Sequence, residues 1–179
     1  MQLYDKIEIL PWFKIHFVEN PGMAFGIELV DTYILTVFRI IVVSIFSYAI
    51  LGLIKRNFSF GYIICLSFVV AGALGNIIDC MFYGIIFDSS YGQYATFMPE
   101  GGGYSSFLNG KVVDMLSFPI IETTWPSWIP HIGGGSFEFF RPIFNIADSS
   151  ICVSAFILLI FYRQSLSASF DKENKTNDE

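Results

Sequence analysis

The sequence predicts a membrane protein whose spanning part is all-α, a bundle with three transmembrane helices. Three observations carry that expectation. The 179-residue chain is 54% hydrophobic and only 15% charged, with a mean hydropathy of +0.58, too apolar for an ordinary soluble domain. Its apolar residues gather into runs at about 32–54, 61–78 and 143–162, each near the roughly 20 residues that cross a bilayer core as a helix. A few amides and carboxylates lie inside those runs at helical spacing, where they are costly unless they face protein or water. Residues 1–163 read as one integral-membrane domain, and 164–179 as a disordered cytoplasmic tail rich in Lys, Asn, Asp and Glu. The net charge of −6 argues against a nucleic-acid partner, which needs a basic face.

Taken in order, residues 1–31 are external and not membrane-spanning. Lys6-Ile7-Glu8-Ile9 alternates briefly before Pro11, and Trp12 to Val18 alternates in part and suits a short strand. Glu19-Asn20-Pro21-Gly22 and the residues to Gly26 form a turn cluster, open to reading as a plain turn or as part of a site. The first span contains Arg39, an arginine that either snorkels to the nearer interface or pairs inside the bundle. In the second span Gly72, Gly75, Asn76 and Asp79 fall at i, i+3, i+4, i+7. Small residues there let helices approach, and the polar pair bonds across the contact.

Residues 80–142 are a long external segment rich in Gly and aromatics, whose 85–110 part suits a substrate-gating loop. Within it Asn109-Gly110 marks a tight turn ahead of Val112-Val113-Asp114. The last span follows Pro142 and carries Asn145 and Asp148 on one face of its first turns. Asp148 is a functional-site candidate by default, against the plainer reading of a polar helix end. Lys55-Arg56 and Arg163 put the first connecting loop and the C-terminus in the cytoplasm. An external N-terminus ahead of three spans favours a further helix upstream. The cysteines Cys65, Cys80 and Cys152 show no paired spacing and read as packing residues, and His16 and His131 form no metal motif.

Asn20, Asn76 with Asp79, Asp114, and Asn145 with Asp148 therefore converge on the external side. Two close carboxylates share a proton, so that one accepts from water while the other donates to a carbonyl, the aspartic-protease solution to peptide hydrolysis. A transporter using Asp79 and Asp148 as a proton relay is the competing use of intramembrane carboxylates, and it would leave Asp114 idle.

Four ordered blocks, Asn20-Pro21-Gly22-Met23-Ala24-Phe25, Gly72 to Asp79, Val112-Val113-Asp114 and Phe144 to Ser149, resemble the motifs of the lipoprotein signal peptidases (signal peptidase II), over roughly residues 10–163. The resemblance implies a four-helix membrane bundle with a small extracytoplasmic β-sheet, of which three spans are present here. It implies an aspartic endopeptidase of the bacterial inner membrane, with its active site on the periplasmic side. Such an enzyme removes signal peptides from diacylglyceryl-modified prolipoproteins, cutting before the lipidated cysteine. By motif position Asp114 and Asp148 match the catalytic pair, and Asn20, Gly22, Asn76, Asp79 and Asn145 match residues that hold substrate or support the dyad. No cofactor or metal is implied, the partners are prolipoprotein and membrane lipid, and a monomer is expected. Tyr83 to Asp88 offers a second apolar-Asp block, but the surroundings of Asp114 fit better. That choice accepts an insertion of about 25 residues, which a loop tolerates cheaply and which resembles the longer loops of Bacteroidetes signal peptidases. The pattern departs at Cys80, where the family usually has arginine, leaving Arg39 or Arg141 to substitute. That departure and the absent first helix suit the alternative of a non-catalytic lipopeptide-binding relative or assembly partner.

Overall fold

The structure is a computed structural model that describes residues 1–22, 31–140 and 142–171. Two short alternating segments ahead of the first apolar run become strands, Lys6–Leu10 (β1) and Phe13–Asn20 (β2), followed by two long helices, Thr32–Lys55 (α1) and Phe60–Ile86 (α2). The external segment supplies Val112–Ser117 (β3), Ile121–Thr124 (β4) and Ser136–Phe139 (β5). Ile143–Phe144 (β6) then leads into Ile146–Phe161 (α3) and Arg163–Phe170 (α4).

β1, β2, β3 and β6 form an antiparallel four-stranded sheet in that order, and β4 pairs with β5 as a separate hairpin. In the β2–β3 register Asn20 lies opposite Val112 and Val18 opposite Asp114. Aromatic rings stack along the sheet, Phe13 on Phe118 at 4.9 Å and Phe118 on Phe144 at 5.7 Å, contacts that add to the area they bury. Lys14 ties the hairpin to the sheet through Glu122 at 2.6 Å.

α1 and α2 are long and apolar enough to cross a membrane, and α3 with α4 qualifies as a third crossing only as a pair bent by 90°. With 16 residues, α3 is about 24 Å long, somewhat short of a hydrocarbon core of about 30 Å. Large apolar side chains such as Ile34, Phe38, Ile45, Leu51, Phe156 and Leu159 point outward from the helices, as lipid-facing surfaces do. Away from the sheet, Leu53, Tyr62 and Leu158 pack into a buried cluster with Phe58, Tyr162 and Leu166. Arg56 caps α4 there by donating to the Ala168 and Ser169 carbonyls.

Several expectations change. The second helix does not stop at Ile78 but runs on to Ile86. Asn76 and Asp79 face other protein groups, so they interrupt hydrophobicity without interrupting the helix, and the non-helical segment starts after 86 rather than at 80. The last helix starts at Ile146, not Ile143, because Ile143 and Phe144 pair with Ser117 and Leu116 of β3. The all-α description covers the apolar helices alone, since six strands stand beside them among the described residues. Residues 163–170 are helical, so the predicted disordered tail loses its first part, and 172–179 lie outside the described residues. No turn forms at Asn109-Gly110, the turn falling just before them at Phe107-Leu108. Cys152 is exposed, unlike the buried Cys80.

The inserted 87–111 segment folds back along the end of α2. Gly110 donates to Cys80 O at 2.8 Å, Ser105 to Gly84 O at 2.8 Å and Met98 to Ile86 O at 2.7 Å, so the insertion satisfies the Gly84 and Ile86 carbonyls that the helix end leaves open. Ser90 is buried and bonds to Glu19 at 2.5 Å, and Lys111 pairs with the same carboxylate at 2.8 Å. The segment is a strap docked on β2 and α2.

Candidate active site

The site forms where the sheet meets the ends of α2 and α3. The small face of α2 places it. A side-chain carbon on Gly72 would collide with the Ala147 carbonyl, and one on Gly75 would come within 3.2 Å of the Ala147 side chain. The two helices therefore approach closely enough for Asn76 to reach the first turn of α3. Asn145 caps that helix, its Oδ1 accepting from Asp148 N at 2.9 Å while Asp148 Oδ2 accepts from Asn145 N at 3.3 Å. This is a capping box with Asn and Asp in place of the commoner pair. The i, i+3 spacing that reads as a helical face is here an N-cap and its third residue, and Asp148 sits in the first turn.

From this cap a hydrogen-bonded chain runs across the site. Asn76 Nδ2 donates to Asp148 Oδ1 at 2.7 Å. Asn145 Nδ2 donates both to Asn76 Oδ1 at 3.0 Å and to Asp114 Oδ1 at 2.9 Å. Asn20 Nδ2 reaches the other Asp114 oxygen at 3.2 Å from the end of β2. The Asn20 side chain also accepts from Gly22 N at 2.9 Å, closing a turn in which Gly22 has φ +98; that left-handed conformation favours glycine. The turn reading of this cluster and its place beside Asp114 are thus one geometry, with Met23 to Gly26 outside the described residues.

Asp79 is one step removed. Its Oδ2 accepts from Val113 N at 3.4 Å, with the Tyr83 hydroxyl beside the same carboxyl group, so it holds β3 from behind Asp114. Asp88 accepts from Thr96 N at 2.6 Å in a separate turn and takes no part in the network. All seven residues singled out from the sequence are therefore at or beside one cluster. Tyr83, Glu19 and Lys111 were not among them, because a hydroxyl or an ion pair between distant segments leaves no local pattern.

Asp114 is 4% exposed, and burial pushes its carboxyl up to about 6, the nearby Asp148 charge acting in the same direction and the Asn20 and Asn145 bonds against it. Among the described residues the side-chain donors to the two carboxylates are amides. Among the described residues the guanidinium near the cluster belongs to Arg39, whose Nη1 lies 3.8 Å from Cys80 Sγ; Arg141 lies outside them. Among the described residues no group of three or more His, Cys, Asp or Glu side chains is arranged to hold a metal ion.

Comparison with known proteins agrees with this architecture. The family described as signal peptidase (SPase) II matches residues 1–163. A lipoprotein signal peptidase of Porphyromonas gingivalis is 49% identical over 164 residues, covering 91% of this chain and 73% of the relative. One from Amoebophilus asiaticus is 34% identical over 169 residues, covering 92% and 67%. Among solved structures, a bacterial membrane enzyme determined by the in meso method at 2.3 Å superposes with a TM-score of 0.56 at 24% identity. It is matched over 99% of this chain and 80% of its own, a likeness of fold. With the family matched over nearly the whole described chain and its relatives this similar, the protein belongs to the signal peptidase II family of membrane proteases that process lipoproteins.

Proposed function

We propose that this protein cleaves the signal peptide from diacylglyceryl-modified prolipoproteins, immediately before the lipidated cysteine, using Asp114 and Asp148 to activate water. The observation that carries the reading is the Asn145 side chain, which bonds to Asp114 and to the backbone of Asp148 at once. Asn145 and Asn76 thereby link the two carboxyl groups without adding charge. Asp114, raised by burial to about 6, carries the proton. The Asp148 carboxylate takes a proton from water, whose oxygen bonds to the scissile carbonyl carbon, while Asp114 gives its proton to the carbonyl oxygen. Collapse of that diol transfers a proton to the amide nitrogen. The C–N bond then breaks, releasing a carboxylic acid on the signal peptide and the amine of the lipidated cysteine. Asn20, Gly22, Asn76, Asp79 and Asn145 hold the pair or the substrate backbone.

In this reading α1, α2 and α3 are three spans of a monomer in the bacterial inner membrane, with α4 past the bend on the far side of α3 from the site. Lys55, Arg56 and Arg163 lie on the cytoplasmic side, and the site opens to the periplasm. The test is cleavage of a diacylglyceryl-prolipopeptide by purified protein in detergent, with Asp114→Asn and Asp148→Asn compared. Both substitutions are expected to abolish cleavage. A wild type that binds the lipopeptide and never cuts it would instead make this chain a lipopeptide-binding relative.

A further inference from the structure

The helix α1 carries one charged residue within its apolar length, Arg39, seven residues past Thr32 and thus about 10 Å into the helix. A guanidinium at that depth is costly and is retained where it meets a partner or a ligand. Its tip has turned toward the site. The position a side-chain carbon on Gly22 would occupy is 3.5 Å from Arg39 Nη2 and 3.8 Å from Nη1, so the guanidinium lies against the turn that follows Asn20. On its other side is Cys80, fully buried and next in sequence to Asp79.

Among the described residues the acceptor that Arg39 meets is the Cys80 thiol, at 3.8 Å. Sulfur is a weak acceptor, whereas a guanidinium offers several N–H donors in a rigid fork and accepts nothing. The small thiol fits where Thr36, also fully buried, crosses α2, and it leaves room for the fork beside it. A charge-bearing fork is therefore held between the Gly22 turn and Cys80, the neighbour of Asp79, and most of its donors meet no acceptor among the described residues. The groups that need such donors in a water-poor site are the carbonyl oxygens of an incoming chain.

We propose that Arg39 is a substrate-binding residue that donates to a carbonyl oxygen of the lipopeptide, and so aligns the scissile bond over Asp114 and Asp148. The proposal rests on the proteolytic reading above. Two carbonyl sources share this chemistry, the peptide backbone and the acyl esters of the diacylglyceryl group.

The experiment measures kcat and KM for the wild type, Arg39→Lys, Arg39→Met, Cys80→Ala and the double variant Arg39→Met/Cys80→Arg, with thermal unfolding of each in the same detergent. Wild-type cleavage in this assay tests the proteolytic reading separately, since its absence would remove that reading and not merely the role of Arg39. Loss of one aligned donor is expected to lower kcat/KM about a hundredfold in Arg39→Met. Arg39→Lys should retain an intermediate activity, because lysine brings the charge without the fork. Cys80→Ala should leave kcat/KM within a few-fold of wild type. The double variant, whose guanidinium enters the same space from α2, should recover at least tenfold of the loss. An ether-linked lipopeptide identifies the source: if it is cleaved equally by wild type and Arg39→Met, the ester carbonyl is the acceptor, and if the hundredfold gap persists, a peptide carbonyl is. Arg39→Met with wild-type kcat/KM would overturn the proposal. So would a loss fully accounted for by unfolding at the assay temperature.

Discussion

Replacing Asn145 by alanine tests the site at its most connected point. The substitution removes the helix cap on α3, a loss of about 1 kcal/mol. It also removes a bond to the Asp114 carboxylate at 2.9 Å, and hydrogen bonds to charged groups contribute about 1.5–3 kcal/mol. Together these predict a stability loss of about 2.5–4 kcal/mol, read as a lower unfolding midpoint in detergent. The same lost bond has a second consequence. It helps hold the Asp114 carboxyl down, so its removal should raise that group further. Cleavage that needs Asp114 protonated would then persist to a higher pH. The assay is kcat/KM against pH for diacylglyceryl-prolipopeptide, wild type beside Asn145→Ala, with unfolding followed in parallel. A lowered midpoint with an unmoved alkaline limb would refute the electrostatic part and leave Asn145 a helix cap alone.

Further outcomes follow from neighbouring contacts. Asp114 titrates higher in the folded chain than its ordinary value of 3.8, so the native state binds more protons in that window and stability falls as pH rises through about 6. Asp114→Asn should flatten that fall, which unfolding midpoints between about pH 4 and about pH 7 would reveal. Gly72→Val should cost about 1–3 kcal/mol by forcing α2 away from the Ala147 carbonyl, seen as a lowered midpoint together with lost cleavage as Asn76 draws back from Asp148. Lys111→Met leaves the half-buried Glu19 without its cation and should destabilise the strap by about 1–2 kcal/mol. Limited proteolysis within residues 88–104 should then run faster than in wild type.

The sequence disclosed this site well because its residues are anomalies. An asparagine or aspartate inside an apolar run costs free energy unless partnered, so Asn76, Asp79, Asn145 and Asp148 stand out from their surroundings. The same reasoning misjudged boundaries. It took Asn76 and Asp79 for the end of a helix that continues to Ile86, since hydropathy registers polarity and not the direction a side chain faces. Ile143 and Phe144 merged with the last apolar run because an edge strand and a membrane helix use the same residues; only the pairing with Leu116 and Ser117 separates them. The Asn-x-x-Asp box at 145–148 was a readable start signal, yet Pro142 drew the expected start earlier. The Glu19–Ser90–Lys111 clamp joins polar residues from distant polar segments, and nothing local distinguishes them from solvated ones.

The chemistry of the partners explains why asparagine recurs. A lysine or arginine bonded to Asp114 would favour its ionised form strongly and draw its titration well below neutrality, removing the proton that the proposed mechanism needs. An amide donates with no net charge, so Asn20 and Asn145 orient the carboxyl while burial still holds it near 6. The same logic accounts for the placement of Arg39, which is bonded to a thiol and not to either member of the pair. A cation in direct contact would serve orientation and defeat acidity. Held beside the Gly22 turn, it can recruit a carbonyl while Asp114 remains able to give up its proton and Asp148 to accept one.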